Sequence, residues 1–399
     1  MPEEPVGEPP PDPTVPGYYL RADYYDLLAA LRRDAPVHEF APGMRTIARY
    51  DDIREISRDP GRFCSSMGAL VNDPMRTWER PTKAPSILHM DPPDHVGFRK
   101  LVNREFTPRA IASLEPRIRE LARSSLDRTP DSGPFDFVEL VAAPFPLMVI
   151  AELLGIPDGD RPDFRRWSDA IIEATDRPPE ETAVATGELF RYLGEHITTK
   201  RATPADDVVS LLVGAELDGR SLDPDELLIF LLTLLVAGNE TTRTLISGGT
   251  LALFEHPEQR ADMVLDPTLI PGAVEECLRW VTPIQAFART VTADTVIGGV
   301  EVKELDYLVM LYASGNRDER VFGPTASVFD IRRDTNPPHL AFGFGEHLCL
   351  GAALARMETR ILFEEMLARH PHYAVVGEPK WVASSLVRGM ETMPLAWSG

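Results

Sequence analysis

The longest helical pattern in the chain, residues 223–255, is the feature the rest must wrap around. Asp223 stands where a helix needs a cap, and Pro224 occupies the first helical position, where its missing N–H costs nothing. Apolar residues then fall on every face through Ala237, which predicts a helix buried on all sides. It runs to about Glu255, just before Pro257. At 1.5 Å per residue that is roughly 45 Å, enough to cross a whole domain. Its middle reads Ala237-Gly238-Asn239-Glu240-Thr241-Thr242, a run of poor helix formers. Threonine can bond back to the preceding turn and bend a helix. A buried acid beside a hydroxyl is costly. Taken as residues alone, the run is either a polar kink packed on another helix or a groove that moves protons.

A second stretch carries the chemistry: Phe342-Gly343-Phe344-Gly345-Glu346-His347-Leu348-Cys349-Leu350-Gly351. Leu350, Leu354, Met357 and Ile361 recur at helical spacing after it, and Pro371 marks a stop. Cys349 therefore belongs at the entrance of a helix, where exposed N–H groups and the macrodipole are expected to lower a thiol's pKa. Such a thiolate on a glycine-rich loop suits a soft or borderline metal. The alternative is a buried cysteine in a tight turn. With Cys64 and Cys277 the chain has three cysteines, too few and too odd in number for a disulfide framework or a zinc cluster. That usage points to a reducing compartment.

The formal net charge of −21 favours solubility and argues against a nucleic-acid surface. No secretory signal is visible. Residues 1–17 read as a disordered Pro-rich arm, and 18–399 as a single domain. The apolar run 227–238 falls short of the ~20 residues a bilayer needs, so no membrane anchor is expected. Around a Pro42-Gly43 turn lies a short strand pair, followed by a helix over 51–58 capped by Asp51 or Asp52. Residues 63–90 lose periodicity. Asp91 then reads as an N-cap with Pro92 behind it, opening a helix on which His95 and Arg99 share a face. By themselves these two are ordinary solvated residues. Lys100, Arg104, Arg109, Arg117 and Arg119 make a local basic cluster. Further helices are expected over 139–155, 164–174, 182–201 and 272–280, the last placing Glu276 and Arg279 three apart. Short strands reach 309, with Gly298-Gly299 as a hairpin turn.

The ten-residue cysteine pattern resembles the haem-binding loop of the cytochrome P-450 family. The central Gly238-Asn239-Glu240-Thr241 run, the His95/Arg99 pair and the Glu276/Arg279 pair follow the family's order along the chain. The resemblance spans about residues 19–397 and is to bacterial, soluble members. It implies a mainly α fold with a small β-rich subregion, the haem lying between the long central helix and the cysteine-loop helix. It implies haem b with iron ligated by Cys349. Phe342 would shield the thiolate, with Gly343 and Gly351 in the haem-binding loop. His95, Arg99, Arg289 and His347 would hold the propionates. Glu240 and Thr241 would be the proton-delivering acid–alcohol pair. Ala237, Gly238, Ile284, Phe287 and Val387 would line the substrate pocket. Glu276 and Arg279 would form a structural ion pair. Where the family adds a third basic residue this chain has Val328, and Arg333 is the candidate to compensate.

The activity implied is monooxygenation: an oxidoreductase acting on paired donors, hydroxylating an apolar small molecule such as a sterol, terpenoid or branched lipid, or a macrolide, with O2. No dinucleotide fingerprint is present, so electrons would come from a ferredoxin and an NAD(P)H-dependent ferredoxin reductase. The basic cluster would receive the acidic donor, and the helices over 164–201 would form a lid. A cytoplasmic monomer is expected. The alternatives are a peroxide-driven peroxygenase on the same fold and a non-catalytic haem-binding sensor.

Overall fold

A capping box starts the central helix. Asp223 Oδ1 accepts from Glu226 N at 2.8 Å, and Glu226 Oε2 accepts from Asp223 N at 3.0 Å. The helix runs Pro224–Glu255 in a computed structural model that describes residues 12–73, 86–103, 106–173, 179–217 and 220–398. Helices Pro144–Leu153, Ile270–Val281 and Ala352–Arg369 pack around it. The expectation of burial on all sides fails on one strip. Val236 is 38% exposed, and Ala237, Gly238, Thr241 and Leu245 open onto a cavity. A packed rod with one open strip is what a helix needs to form the wall of a ligand site. Gly238 is set by packing: a Cβ there would stand 2.5 Å from Ile150 Cδ1 on Pro144–Leu153. By length and composition the whole helix passes the test for crossing a membrane, with half of its most apolar window buried in the protein. The shorter run read from sequence did not pass it.

Helices make up 54% of the chain, which agrees with the mainly α reading. The β-rich part is a five-stranded sheet in the order Val37–Ala41, Met44–Ile47, Tyr307–Leu311, Ala286–Val291, Phe63–Cys64. Only the Met44–Ile47 and Tyr307–Leu311 pairing is parallel. The Pro42-Gly43 turn forms as expected, and so does the Gly298-Gly299 hairpin between Thr295–Ile297 and Val300–Val302.

Several local expectations are corrected. Asp91 does not cap the helix Asp94–Asn103; its carboxylate accepts from Ser65 N and Ser66 N at 2.8 and 3.0 Å. Neither Asp51 nor Asp52 caps Tyr50–Arg58, because Asp318 Oδ2 reaches across to Tyr50 N at 3.0 Å. Residues 12–17, read as part of the arm, form a turn in which Asn72 Nδ2 donates to Thr14 O at 2.7 Å. The rest of the arm, residues 74–85 of the aperiodic stretch, Arg104 and residues 174–178 lie outside the described residues.

Between the central helix and the cysteine stretch the chain is largely irregular. The Glu276–Arg279 pair organises it. Both side chains are 2% exposed and meet at 2.7 Å. Arg279 gives Nε and Nη2 to the carboxylate, Nη1 to Asn316 O and Ala326 O, and Nη2 also to Val328 O. All five guanidinium donors are used. Arg333 completes the network at 3.2 Å from Glu276 Oε2, so it supplies the third cation, while Val328, 52% exposed, contributes only its carbonyl. Removing one partner of a fully buried pair typically costs about 3–5 kcal/mol. Glu276→Ala is therefore expected to lower unfolding free energy by about that much in urea titrations, with Arg333→Ala losing clearly less. Equal losses would show that the network is not centred on Arg279.

Candidate functional site

The cavity lies between the strip of the central helix and the stretch 342–351 with the first turns of the cysteine helix Ala352–Arg369. Cys349 faces it. The other cysteines do not: Cys64 is buried on the sheet edge, and Cys277 is buried in the helical core. Cys349 N donates to Phe342 O at 2.9 Å, which closes the loop on itself. Gly343 and Gly345 take φ of +69° and +73°, a region other residues enter at a cost. Gly345 is also pressed on helix Tyr50–Arg58: a Cβ would fall onto Ser57 O. Phe344, beside it, lies under Arg54 and Arg58, at 4.2 and 4.7 Å from its ring centre. Gly351 has an ordinary φ of −82°, and its Cβ position stands 4.0 Å from Cys349 Sγ, an ordinary contact distance.

The expected drop in the Cys349 pKa is not found for the protein alone. The sulfur is exposed only toward a cavity walled by protein, and burial pushes the thiol up, opposed by the Gly351 N–H, Arg99 and Arg356. Coordination to a metal deprotonates a thiol outright, so the thiolate follows from ligation rather than from the helix end.

One end of the cavity gathers His95, Arg99, Arg289 and His347. The two imidazoles lie 4.1 Å apart. Burial, reinforced by Arg289, His95 and Arg99, holds His347 neutral, with a pKa of about 2. His95 is lowered by burial and by Arg99. Arg99 Nη1 donates to Glu346 O at 2.9 Å, and its Nη2 to Leu348 O. Arg289 donates to Ala288 O at 2.6 Å. Among the described residues both arginines bond backbone carbonyls and no carboxylate, and His95 Nδ1 is buried without a partner. Four nitrogen-bearing groups without an anion fit a ligand that brings its own carboxylates. With a sulfur on the floor and apolar walls, the donor set fits a flat metallo-macrocycle bearing acid side arms.

Phe342, Gly343, Ala237, Gly238, Thr241, Ile284 and Phe287 all line the cavity, as expected. Two residues do not. Val387 is buried and bridges Ile284 through the backbone, outside the residues that line the cavity. Glu240 is outside the cavity lining, 3.2 Å from Arg243, while Thr241 Oγ1 donates to Ala237 O at 2.6 Å. The acid and the alcohol are chain neighbours about 100° apart around the helix, and only the alcohol's residue lines the cavity. Of the basic cluster, Arg117 and Arg119 are taken by Glu120, Glu152, Glu115, Glu364 and Glu365. Lys100 and Arg109 remain exposed.

Sequence reading missed Arg356 and Glu275. Arg356 lies over the Phe342 ring at 4.5 Å and pairs with Glu275 at 2.6 Å, tying the cysteine helix to Ile270–Val281. An arginine on the helix after the cysteine was the available signal; its acidic partner is distant in sequence and had none. Burial alone would raise Glu275, but His339 and Arg356 outweigh it and hold the carboxyl at about 2. A carboxyl lowered on folding stabilises above its unfolded value of about 4.3, and that stability is lost as pH falls toward about 2. Glu275→Gln should therefore destabilise more at pH 6 than at pH 3 in urea unfolding. A pH-independent difference would refute the linkage.

A mainly α protein with a cysteine sulfur facing its own central helix across an anion-seeking cavity belongs to the haem-thiolate class. The chain matches the cytochrome P450 family over residues 42–374 and belongs to it. It is 39% identical over 375 residues to the vitamin D(3) 25-hydroxylase of Pseudonocardia autotrophica, covering 92% of each chain. It is 34% identical over 376 residues to the steroid C26-monooxygenase of Mycolicibacterium smegmatis, covering 92% of this chain and 91% of that one. A solved structure of a P450 EryK mutant in complex with erythromycin B superposes with a TM-score of 0.84 at 35% identity, covering 94% and 96%. The protein is a P450 monooxygenase, and its cofactor is haem b with cysteine-thiolate ligation of the iron. The sensor reading falls with that.

Proposed function

We propose that this enzyme hydroxylates an apolar small molecule, with a sterol, terpenoid or branched lipid favoured, taking electrons from a separate ferredoxin and its NAD(P)H-dependent reductase. It would work as a cytoplasmic monomer in which residues 18–399 form one domain. The observation that carries the substrate class is the wall above the cysteine: Ala69, Ile87, Leu88, Leu234, Ile284 and Phe287 are all apolar, with Thr233 a hydroxyl among them. The names of the vitamin D(3) and steroid relatives support the same class. The erythromycin complex keeps a macrolide in view as the alternative.

When bound, the haem supplies dioxygen activation for insertion into a C–H bond, with thiolate ligation favouring O–O cleavage. Cys349 is the proposed ligand, and Phe342, clamped under Arg356, keeps water from its sulfur. Arg99, Arg289, His95 and His347 would gather around the two carboxylates; His347 is neutral and its Nε2 already meets Ser65 Oγ at 3.2 Å, so the charge there comes from the arginines. Thr241 lines the cavity and would pass protons there once its hydroxyl leaves Ala237 O, with Glu240 next to it in the chain as the acid. Apolar residues orient the substrate by shape and exclude water. Exposed Lys100 and Arg109 support docking of an acidic donor, while Arg117 and Arg119 are engaged by glutamates.

Cys349→Ser is expected to abolish the thiolate-type Soret band of the reduced protein with carbon monoxide. Thr241→Ala should consume NADPH while product per NADPH falls at least about tenfold, since positioned proton transfer is worth about 10²–10⁴. Sterols, terpenes and macrolides screened by the spin-state shift would identify the substrate class; a shift with macrolides alone would overturn the lipid reading. Peroxide-driven turnover faster than ferredoxin-driven turnover would make the enzyme a peroxygenase.

A further inference from the structure

A helix leaves its last four carbonyls without a partner inside it. At the end of helix Ile270–Val281 each of them meets a separate donor. Thr282 N donates to Leu278 O at 3.0 Å, Thr282 Oγ1 to Arg279 O at 2.9 Å, and Arg317 Nη2 to Trp280 O at 2.8 Å. The fourth, Val281 O, accepts from the side-chain amide of Gln285 at 3.3 Å, and the same Nε2 also donates to Thr282 O. Thr282 has a φ of +46°, at a position where helices usually place glycine and where a β-branched residue is strained. Its hydroxyl is held by Asn316 Nδ2 at 2.9 Å. Strain of this kind persists only where the surroundings over-determine it. The turn leads directly into Pro283, Ile284 and Phe287, which line the cavity.

Gln285 sits behind that wall, fully buried, and each of its polar groups has a partner. Oε1 accepts from the Tyr24 hydroxyl at 2.9 Å, the backbone N donates to Leu386 O at 2.9 Å, and the backbone O accepts from Tyr312 N at 2.9 Å. Tyr24 opens helix Tyr24–Asp34, and Tyr312 is itself a cavity residue. One side chain therefore joins a helix end, the N-terminal helix and the wall. We propose that Gln285 is a positioning residue for substrate specificity: its amide holds the strained turn at Thr282 and so sets how far Ile284 and Phe287 stand into the cavity. This rests on the reading of those two residues as substrate wall. Without the amide, Thr282 O and the Tyr24 hydroxyl would be buried and lose the partners they now have, which is costly. Helix Ile270–Val281 is packed on the central helix and the cysteine helix, whereas the wall borders open space, so the wall is the part that moves to relieve that cost.

The test uses the haem-loaded protein and two ligands that coordinate iron through the same ring, imidazole and 4-phenylimidazole. Only the second carries a group that reaches the wall. Affinities are read from the shift of the Soret band, so neither substrate nor turnover is needed. At least one of Ile284→Ala and Phe287→Ala should change the ratio of the two affinities severalfold. Gln285→Met keeps the length of the side chain and removes its hydrogen bonds. It should change the ratio severalfold while imidazole affinity stays at the wild-type value. Tyr24→Phe keeps the ring, removes one hydrogen bond and should move the ratio the same way by less. A purely structural Gln285 would lower the unfolding temperature and leave the ratio unchanged. That result in Gln285→Met overturns the proposal, and Tyr24→Phe decides the matter if Gln285→Met does not fold. If neither Ile284→Ala nor Phe287→Ala moves the ratio, the wall reading itself fails and the proposal with it.

Discussion

The desolvated guanidinium of Arg279 is the constraint on which the haem-side half of the molecule depends. A buried arginine is tolerable only when every donor is met, and here the partners come from three places in a segment with little regular structure: Asn316, Ala326 and Val328. Their carbonyls have little helix or sheet to satisfy them, so ion pair and loop solve each other's problem. The Glu276 carboxylate adds Asp330 N at 2.8 Å and Arg333. With that segment held, the stretch leading to Cys349 starts from a defined place.

From there the site is a matter of contrasting surfaces. Helix Tyr50–Arg58 presses on Gly345 and stacks two arginines on Phe344, so the loop is shaped from outside. Arg356 and Glu275 hold its other flank. The central helix is packed on most sides but leaves one strip uncovered. Apolar walls and a cationic end divide the cavity into a part suited to a hydrocarbon body and a part suited to carboxylates. The proposed acid stands outside the cavity lining, paired with Arg243.

Much of this was legible in the chain because it is written locally. Asp223 and Glu226 form the capping box their spacing allows, and Pro42-Gly43 makes its turn. The helix after Cys349 follows from the recurrence of Leu354, Met357 and Ile361. Where reading failed, a distant group had intervened. Asp91 looks like a cap but is claimed by Ser65 and Ser66. Asp51 and Asp52 look like caps, yet Asp318 does that work from 268 residues away. Val387 carries the right side chain for a pocket and bridges cavity-lining Ile284, but it is buried outside the cavity lining. Arg119 looks like part of a basic face until three glutamates close on it.

The sequence by itself determined the long central helix, the glycine-rich cysteine loop and the family, since helical period, caps and positive-φ glycines depend on neighbours along the chain. Only the tertiary structure decided which faces those elements turn to one another. It put Thr241 on the cavity and left Glu240 outside its lining, chose Arg333 over position 328 as the third cation, and raised rather than lowered the Cys349 thiol. The physical reason is the same in each case: burial, charge pairing and desolvation are set by what packs across space, and the partners lie tens to hundreds of residues away.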